Sequence, residues 1–212
     1  MTEPVDEAEL ARRLAERAAT GGRMICAIAG PPGSGKSTLA EALVARLNAQ
    51  APGTAALLPM DGFHYDDTWL IPAGLRPRKG APETFDVAGL RHVLGRLRAG
   101  EDGVFVPVFD RTLEIARAGA RPIPAAARVI VCEGNWLLLD REPWSGLRPF
   151  FDLTAMIEVP EATLRDRLRR RWEGYGLSED EIAWKLDGND LPNGRLVARA
   201  SVPADVVLRQ DG

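Results

Sequence analysis

The chain has 212 residues, 45% of them hydrophobic and 27% charged, which suits one domain with a sizeable core and is short for two. Its formal net charge of −3 excludes a global positive field that would draw in nucleic acid or an anionic membrane, so any anionic ligand must be held by local groups. The start, MTEPVDEAELARRLAERAA, lacks the apolar stretch of a secretory signal, and no apolar run approaches the ~20 residues that span a bilayer, which predicts a cytoplasmic protein. Leu10 and Leu14, four apart among charges, predict an amphipathic helix over residues 5–19, within an N-terminal segment 1–22 that Gly21-Gly22 closes. The unbroken apolar run MICAIA, residues 24–29, has the pattern of a buried parallel strand. A Gly/Pro/Ser loop follows, then a helix over 36–50, then a weaker strand at 54–60. Residues 61–85 are rich in Gly, Pro and aromatics without a clear period, the kind of long connection that carries function.

Asp86 can N-cap a helix reaching about residue 99. Residues 104–109 read as a short strand broken by Pro107, 128–132 as a buried strand ending at Glu133-Gly134, and 153–159 as another. Pro160 opens a helix to about Trp172, Ser178 caps one to about Leu186, and 205–209 form the last strand. Residues 184–197 read as a polar loop, in which Asn189 and Asn193 form turns or meet the base of a nucleotide. Strands alternating with helices predict an α/β fold of three layers with a mostly parallel sheet of about five strands. No repeat or linker divides the chain, so 1–212 reads as one domain. Cys26 and Cys132 lie inside apolar strand runs and read as reduced core thiols. Of the 27 basic residues only Lys36, Lys79 and Lys185 are lysines, which makes each of them more informative than any one arginine.

The strongest signal is GPPGSGKST: Gly30, Pro31, Pro32, Gly33, Ser34, Gly35, Lys36, Ser37 and Thr38. It matches G-x-x-x-x-G-K-[ST] where the mechanism needs it, after a buried strand and opening a helix. Glycines let successive backbone N–H groups curl toward phosphate oxygens, and the helix adds its positive N-terminal end. Lys36 supplies a point charge to the β- and γ-phosphates of ATP, and the Ser37 hydroxyl can ligate Mg²⁺. Glu133, at the C-terminal end of a buried strand, can hold the same ion or cap its turn. Asp61 is the first polar residue after the second strand, so it shares a sheet edge with the loop. A carboxylate there can accept the proton of an attacking hydroxyl, or merely form a turn with Gly62. His64 either touches substrate or fills a loop, and Asp66 and Asp67 read as solvated.

The succession of P-loop, DGFH, KGAPETFD, PVFDR and CEGNWLLLD resembles the uridine kinase, pantothenate kinase and phosphoribulokinase group, in particular the bacterial nucleoside/nucleotide kinase-like proteins labelled fructose transport system kinases. The resemblance runs from about Ile25 to Leu208. It implies that Asp61 is the catalytic base, that Glu133 is the magnesium-side carboxylate, that Phe85 stands near the acceptor pocket, and that the Arg-rich helix belongs to a lid over residues 161–190. On that helix Leu164, Leu168 and Trp172 share an inward face. Arg167 and Arg171 share another from which a guanidinium can stabilise the transferring phosphoryl, and Arg170 can pair with Asp166. Relatives acting on uridine and pantothenate carry a His where this chain has Arg111. An Arg there suits an acidic or phosphorylated acceptor, or pairs with Asp110 or Glu114. The chain therefore reads as an ATP- and Mg²⁺-dependent kinase, monomeric or homodimeric, whose partners are ATP and a small hydroxyl acceptor: a sugar, a nucleoside or a pantothenate-like alcohol. The rival reading is a P-loop NTPase switch or assembly factor that uses water.

Overall fold

The computed structural model describes residues 4–210; residues 1–3 of the expected N-terminal segment, and 211–212, lie outside the described residues. Five strands, β1 (Met24–Ala29), β2 (Ala55–Pro59), β5 (Val129–Glu133), β6 (Leu153–Glu158) and β7 (Val206–Arg209), form one sheet in the order β2-β5-β1-β6-β7. Every pairing in it is parallel. Parallel strands need covering helices on both faces, which is why β1, β2 and β5 are buried at every position.

Side chains alternate across β1 as the strand period dictates. Met24, Cys26 and Ile28 join a core built with α1 (Glu7–Thr20) and α2 (Lys36–Gln50). Ile25, Ala27 and Ala29 join the opposite core, under α4 (Val87–Arg98) and α7 (Leu191–Ala200). The three expected layers are therefore present. Cys26 and Cys132 are free, buried and in different cores, on opposite faces of adjacent strands. Asp86 caps α4 by accepting from Gly89 N–H, as its position predicts.

The segment 104–110 is a strand, β3 (Val104–Asp110), but it stands outside the main sheet. It pairs antiparallel with β4 (Ile115–Ile123), which sequence reading does not reveal because its sequence, IARAGARPI, lacks a buried apolar face. Register shifts between Val106 and Val108, across Pro107, which has no N–H to give to a ladder.

The connection 61–85 is ordered by short turns of helix, including α3 (Asp67–Leu70), and by two buried tryptophans. Trp136 donates its indole N–H to Gly80 O at 3.0 Å and Trp144 donates to Pro82 O at 3.2 Å. Helices α5 (Glu161–Gly174) and α6 (Glu179–Lys185) share a small core of Leu164, Leu168, Ile182, Leu186 and Leu191. Ser178 begins α6 with a full capping box. The expected polar loop after α6 is instead helical, a π turn at Leu186–Asp190 leading into α7. Its apolar residues Leu186, Leu191 and Val197 are buried, and that burial overrides the weak helix propensity of LDGNDLPNG.

The turn after β2 presses directly on the hairpin: a Cβ at Gly62 would lie 2.2 Å from Pro107 O. Gly62→Ala is therefore expected to lower stability by about 1–3 kcal/mol. Gly22→Ala, whose Cβ meets nothing within 4 Å, should shift it by about 0.5 kcal/mol at most. Thermal unfolding followed by circular dichroism would refute the close approach if the two variants melted together.

Candidate active site

β1 hands directly into the P-loop at the point where its neighbours β5 and β6 diverge, the crevice at which open α/β sheets bind ligands. Gly35 closes the loop at φ 83°, left-handed backbone that only glycine adopts without strain. No side chain caps α2, so its first-turn N–H groups face an open mouth suited to an anion. Pro32, Gly33, Gly35, Lys36, Ser37 and Thr38 line a cavity of about 410 Å³. Gly30, Pro31 and Ser34 form the inner side of the loop, and Ser34 N–H donates to Pro31 O at 3.2 Å. Lys36 is 8% exposed and donates to Pro31 O at 2.9 Å. Burial pulls its pKa down to about 8, against the attraction of Glu133 and Asp61.

Two carboxylates face this ammonium. Pro59 pairs with Glu133 across β2 and β5, so Asp61 and Glu133 leave the sheet at the same edge. Burial, reinforced by the charge of Asp61, pushes Glu133 up to about 7, opposed by Lys36 and by a hydrogen bond from Ser37. Burial opposes ionisation of Asp61 too. Neighbouring positive charge, from Arg111, Lys36 and Arg171 and from His64 when it takes up a proton, outweighs it and holds the carboxyl below the usual carboxylate range. The oxygen donors suit Mg²⁺, which takes few protein ligands and keeps waters and phosphate oxygens: Ser37 and Glu133 are in contact, and Glu133 is a buried carboxylate that a divalent cation would favour in its ionised form. No cluster of three or more His, Cys, Asp or Glu with metal-binding geometry occurs among the described residues.

On the other side of Asp61, His64 lies between Phe85 and Phe109, its ring centroid 4.1 and 4.6 Å from theirs. Its Nδ1 is 2.8 Å from the Asp61 carbonyl, which only accepts, so Nδ1 carries the hydrogen and Nε2 of the neutral ring is an acceptor. Burial lowers the His64 pKa and favours that neutral form. Arg111 pairs with neither Asp110 nor Glu114. Its Nη2 donates to Asp61 Oδ2 at 2.6 Å, while Asp110 Oδ1 accepts from Thr112 and Leu113 N–H. The sequence distance hides this pair, since the hairpin that carries Arg111 is folded back onto the turn after β2. Asp66 and Asp67 are not simply solvated. Asp66 caps α3, and Asp67 holds Arg76 at 2.6 Å and Lys79 at 2.7 Å.

Helix α5 packs on the P-loop through Leu168, whose Cγ would lie 3.0 Å from a Cβ at Gly33. That packing turns Arg167 and Arg171 into the cavity, while Leu164 and Leu168 face inward and Trp172 is half-buried. Arg167 bonds Gln210 at 2.7 Å and Arg171 lies over the Trp172 ring. Arg170 makes no ion pair with Asp166 among the described residues; the neighbouring Arg169 pairs with Glu173 and Glu179. Asn189 and Asn193 are buried and form no turns of their own. Asn189 donates to Lys79 O at 3.0 Å and Asn193 to Asn189 Oδ1 at 3.1 Å, tying α7 to the 61–85 connection.

Every predicted side chain at the cavity is thus brought together: Lys36, Ser37, Asp61, His64, Phe85, Arg111, Glu133, Arg167 and Arg171 all line it. Sequence reading missed Arg76, Lys79 and Lys185 there, yet a signal was present. All three lysines of the chain line this one cavity, whereas only four of its 24 arginines do.

No protein-family model matches the chain. It is 37% identical over 188 residues to the uncharacterized protein YggC of Escherichia coli strain K12, covering 88% of this chain and 77% of that one. It is 34% identical over 197 residues to the "Putative uridine kinase C227.14" of Schizosaccharomyces pombe, covering 89% and 83%. A pantothenate kinase of Afipia carboxidovorans is 32% identical over 149 residues, 67% of this chain and 47% of that one. Among solved structures, a "putative fructose transport system kinase" from Silicibacter sp. TM1040 superposes with a TM-score of 0.88 at 43% identity, covering 96% of this chain and 98% of that one.

Glu133 gives a stability signature. Folded and unfolded chains both hold its proton below the ordinary pKa of 4.5; above that the unfolded chain ionises first, and the folded chain keeps the proton to about 7. Its contribution to stability therefore falls as pH rises through that window and stays low above it. Between the ordinary pKa of 4.5 and about 7 the parent should therefore lose stability relative to Glu133→Gln, which cannot titrate there, while the offset at any one pH also carries the loss of the Lys36 partner. Parallel pH profiles of stability for the two proteins would contradict the buried carboxylate.

Proposed function

This chain belongs to the P-loop kinases of the uridine and pantothenate kinase group, and from that premise we propose that it transfers the γ-phosphoryl of ATP to a hydroxyl of a small metabolite, a sugar, a nucleoside or a pantothenate-like alcohol. One observation carries the reading: a single cavity holds the P-loop, Lys36, Asp61 and the two guanidiniums of α5. In this reading the loop amides and the α2 N-terminus take the triphosphate, and Lys36 exchanges Pro31 O for phosphate oxygens. Arg167 and Arg171 meet the charge that develops on the transferring group. Ser37 and Glu133 would hold Mg²⁺, which when bound neutralises charge on the β- and γ-phosphate oxygens. Phe85, His64 and Phe109 form the wall against which the acceptor lies, and Asp61 orients its hydroxyl and takes the proton. Positioning and electrostatics supply most of the acceleration.

A P-loop switch that hydrolyses NTP shares the cradle but uses water, so the acceptor side separates the two readings. Asp61→Asn should bind ATP nearly as the parent does and lose phosphoryl transfer by on the order of a hundredfold or more. Normal turnover by that variant would remove Asp61 from the base role. Lys36→Ala should weaken ATP binding and turnover together, as read by calorimetric titration and initial rates; undiminished ATP binding would contradict the cradle.

A further inference from the structure

The carboxylate proposed as base does not stand free. Arg111 Nη2 is 2.6 Å from Asp61 Oδ2, with the Asp61 side chain 25% and the Arg111 side chain 42% exposed. A charge-assisted contact this short occupies one carboxylate oxygen and stabilises the ionised form, both of which oppose taking up a proton. Moving Arg111 away without a replacement gives up that contact and leaves Asp61, the less exposed of the two, with one cation fewer. An uncharged acceptor offers no compensation for that move, whereas an anion does.

The surroundings suit such an exchange. Arg111 stands on the turn between β3 and β4, outside the main sheet. Its remaining guanidinium donors have no protein partner among the described residues, and its side chain lines the cavity. On the same wall Lys79 is held by Asp67 and by Glu114 O at 2.7 Å, and its ammonium lies 5.3 Å from the centre of the Phe109 ring. Arg76 shares Asp67 with it, so two cations there divide one carboxylate. Besides Asp67 behind it, the carboxylates of this wall that line the cavity are Asp61 and Glu114; Glu133 and Asp190 line the cavity on the triphosphate side, where Asp190 accepts from the Trp172 indole. Seven cationic side chains line the whole cavity, against those four carboxylates.

We propose that the acceptor carries an anionic group of its own, a carboxylate or a phosphate ester, and that this group takes Arg111 from Asp61 when the acceptor binds. The exchange frees the Asp61 oxygen for the hydroxyl, so that the base is released only when a correctly charged acceptor is in place. This inference rests on the kinase reading above and narrows its substrate class to hydroxy acids and phosphorylated alcohols. It involves no change of covalent bonds beyond the transfer already described: the acceptor oxygen gains the phosphoryl, ADP leaves, and the proton passes to Asp61.

The test uses the full chain with MgATP and matched acceptor series: glycerol, glycerate and glycerol phosphate; pantothenol and pantothenate; fructose and fructose 6-phosphate; uridine and its 6-carboxylate. Product is followed by phosphorus NMR and initial rates by ADP release. In any series that is phosphorylated, the anionic member should exceed its uncharged counterpart in kcat/KM by about tenfold or more. The carboxylate and phosphate arms show which anion is used. Arg111→Gln should bring that ratio to near one with the KM for ATP unchanged, and Arg111→Lys should restore part of it, a selectivity readout that a merely structural arginine would not move. Uncharged acceptors used as efficiently as their anionic counterparts, or a ratio that survives Arg111→Gln, would overturn this proposal and leave the kinase reading standing. Hydrolysis of ATP with no phosphorylated product from any series would overturn both.

Discussion

Lys36 and Glu133 are each more than nine-tenths buried, and neither would keep its charge there alone. The ammonium is pulled toward its neutral form and the carboxyl toward its protonated form, and each is the other's main reason to stay ionised. The arrangement is a poor one for folding and a good one for ligands. A triphosphate would supply the negative charge that the ammonium lacks, and a divalent cation the positive charge that the carboxylate lacks. The rest of the molecule holds this unfavourable pair at the mouth of the sheet, with two apolar cores behind it rigid enough to keep the charged groups from relaxing apart.

The cavity has two walls of different origin. The triphosphate wall is built from the sheet edge and from α5, which packs on the P-loop through Leu168. Apart from Lys36 beside Glu133, its cations Arg167, Arg171 and Lys185 make no salt bridge among the described residues, with Asp190 the carboxylate whose charge Arg171 and Lys185 feel, and so remain available for phosphate. The other wall is assembled from the 61–85 connection and the β3–β4 hairpin, pinned from behind by the indoles of Trp136 and Trp144. Its cations are already paired, with Asp67 or with Asp61. Free cations suit a ligand of high charge that arrives with its own counter-ion. Paired cations suit a ligand that must compete for them, and such a wall discriminates between acceptors by what they offer in exchange.

Much of the fold was legible because its signals are short-range. MICAIA is a strand buried on both faces, Asp86 and Ser178 are caps whose partners lie three residues on, and the P-loop encodes its own geometry in two glycines and a lysine. Where the reading failed, a distant partner had overridden local preference. β4 is a strand because β3 lies beside it, the segment from Leu186 to Ala200 is helical because its few leucines and valine reach a core, and Asp67 is an ion-pair hub because the chain returns with Arg76 and Lys79.

The same division runs through the site. Everything needed to hold a phosphate lies within nine consecutive residues, from Gly30 to Thr38, and backbone amides curled by glycine bind an anion whatever surrounds them, so that capacity is written in the sequence alone. The pairing of Asp61 with Arg111 spans 50 positions and two separate sheets. Composition could name the participants, even the three lysines, but charge acts through distance in space, and only the folded chain sets which cation stands beside which carboxylate.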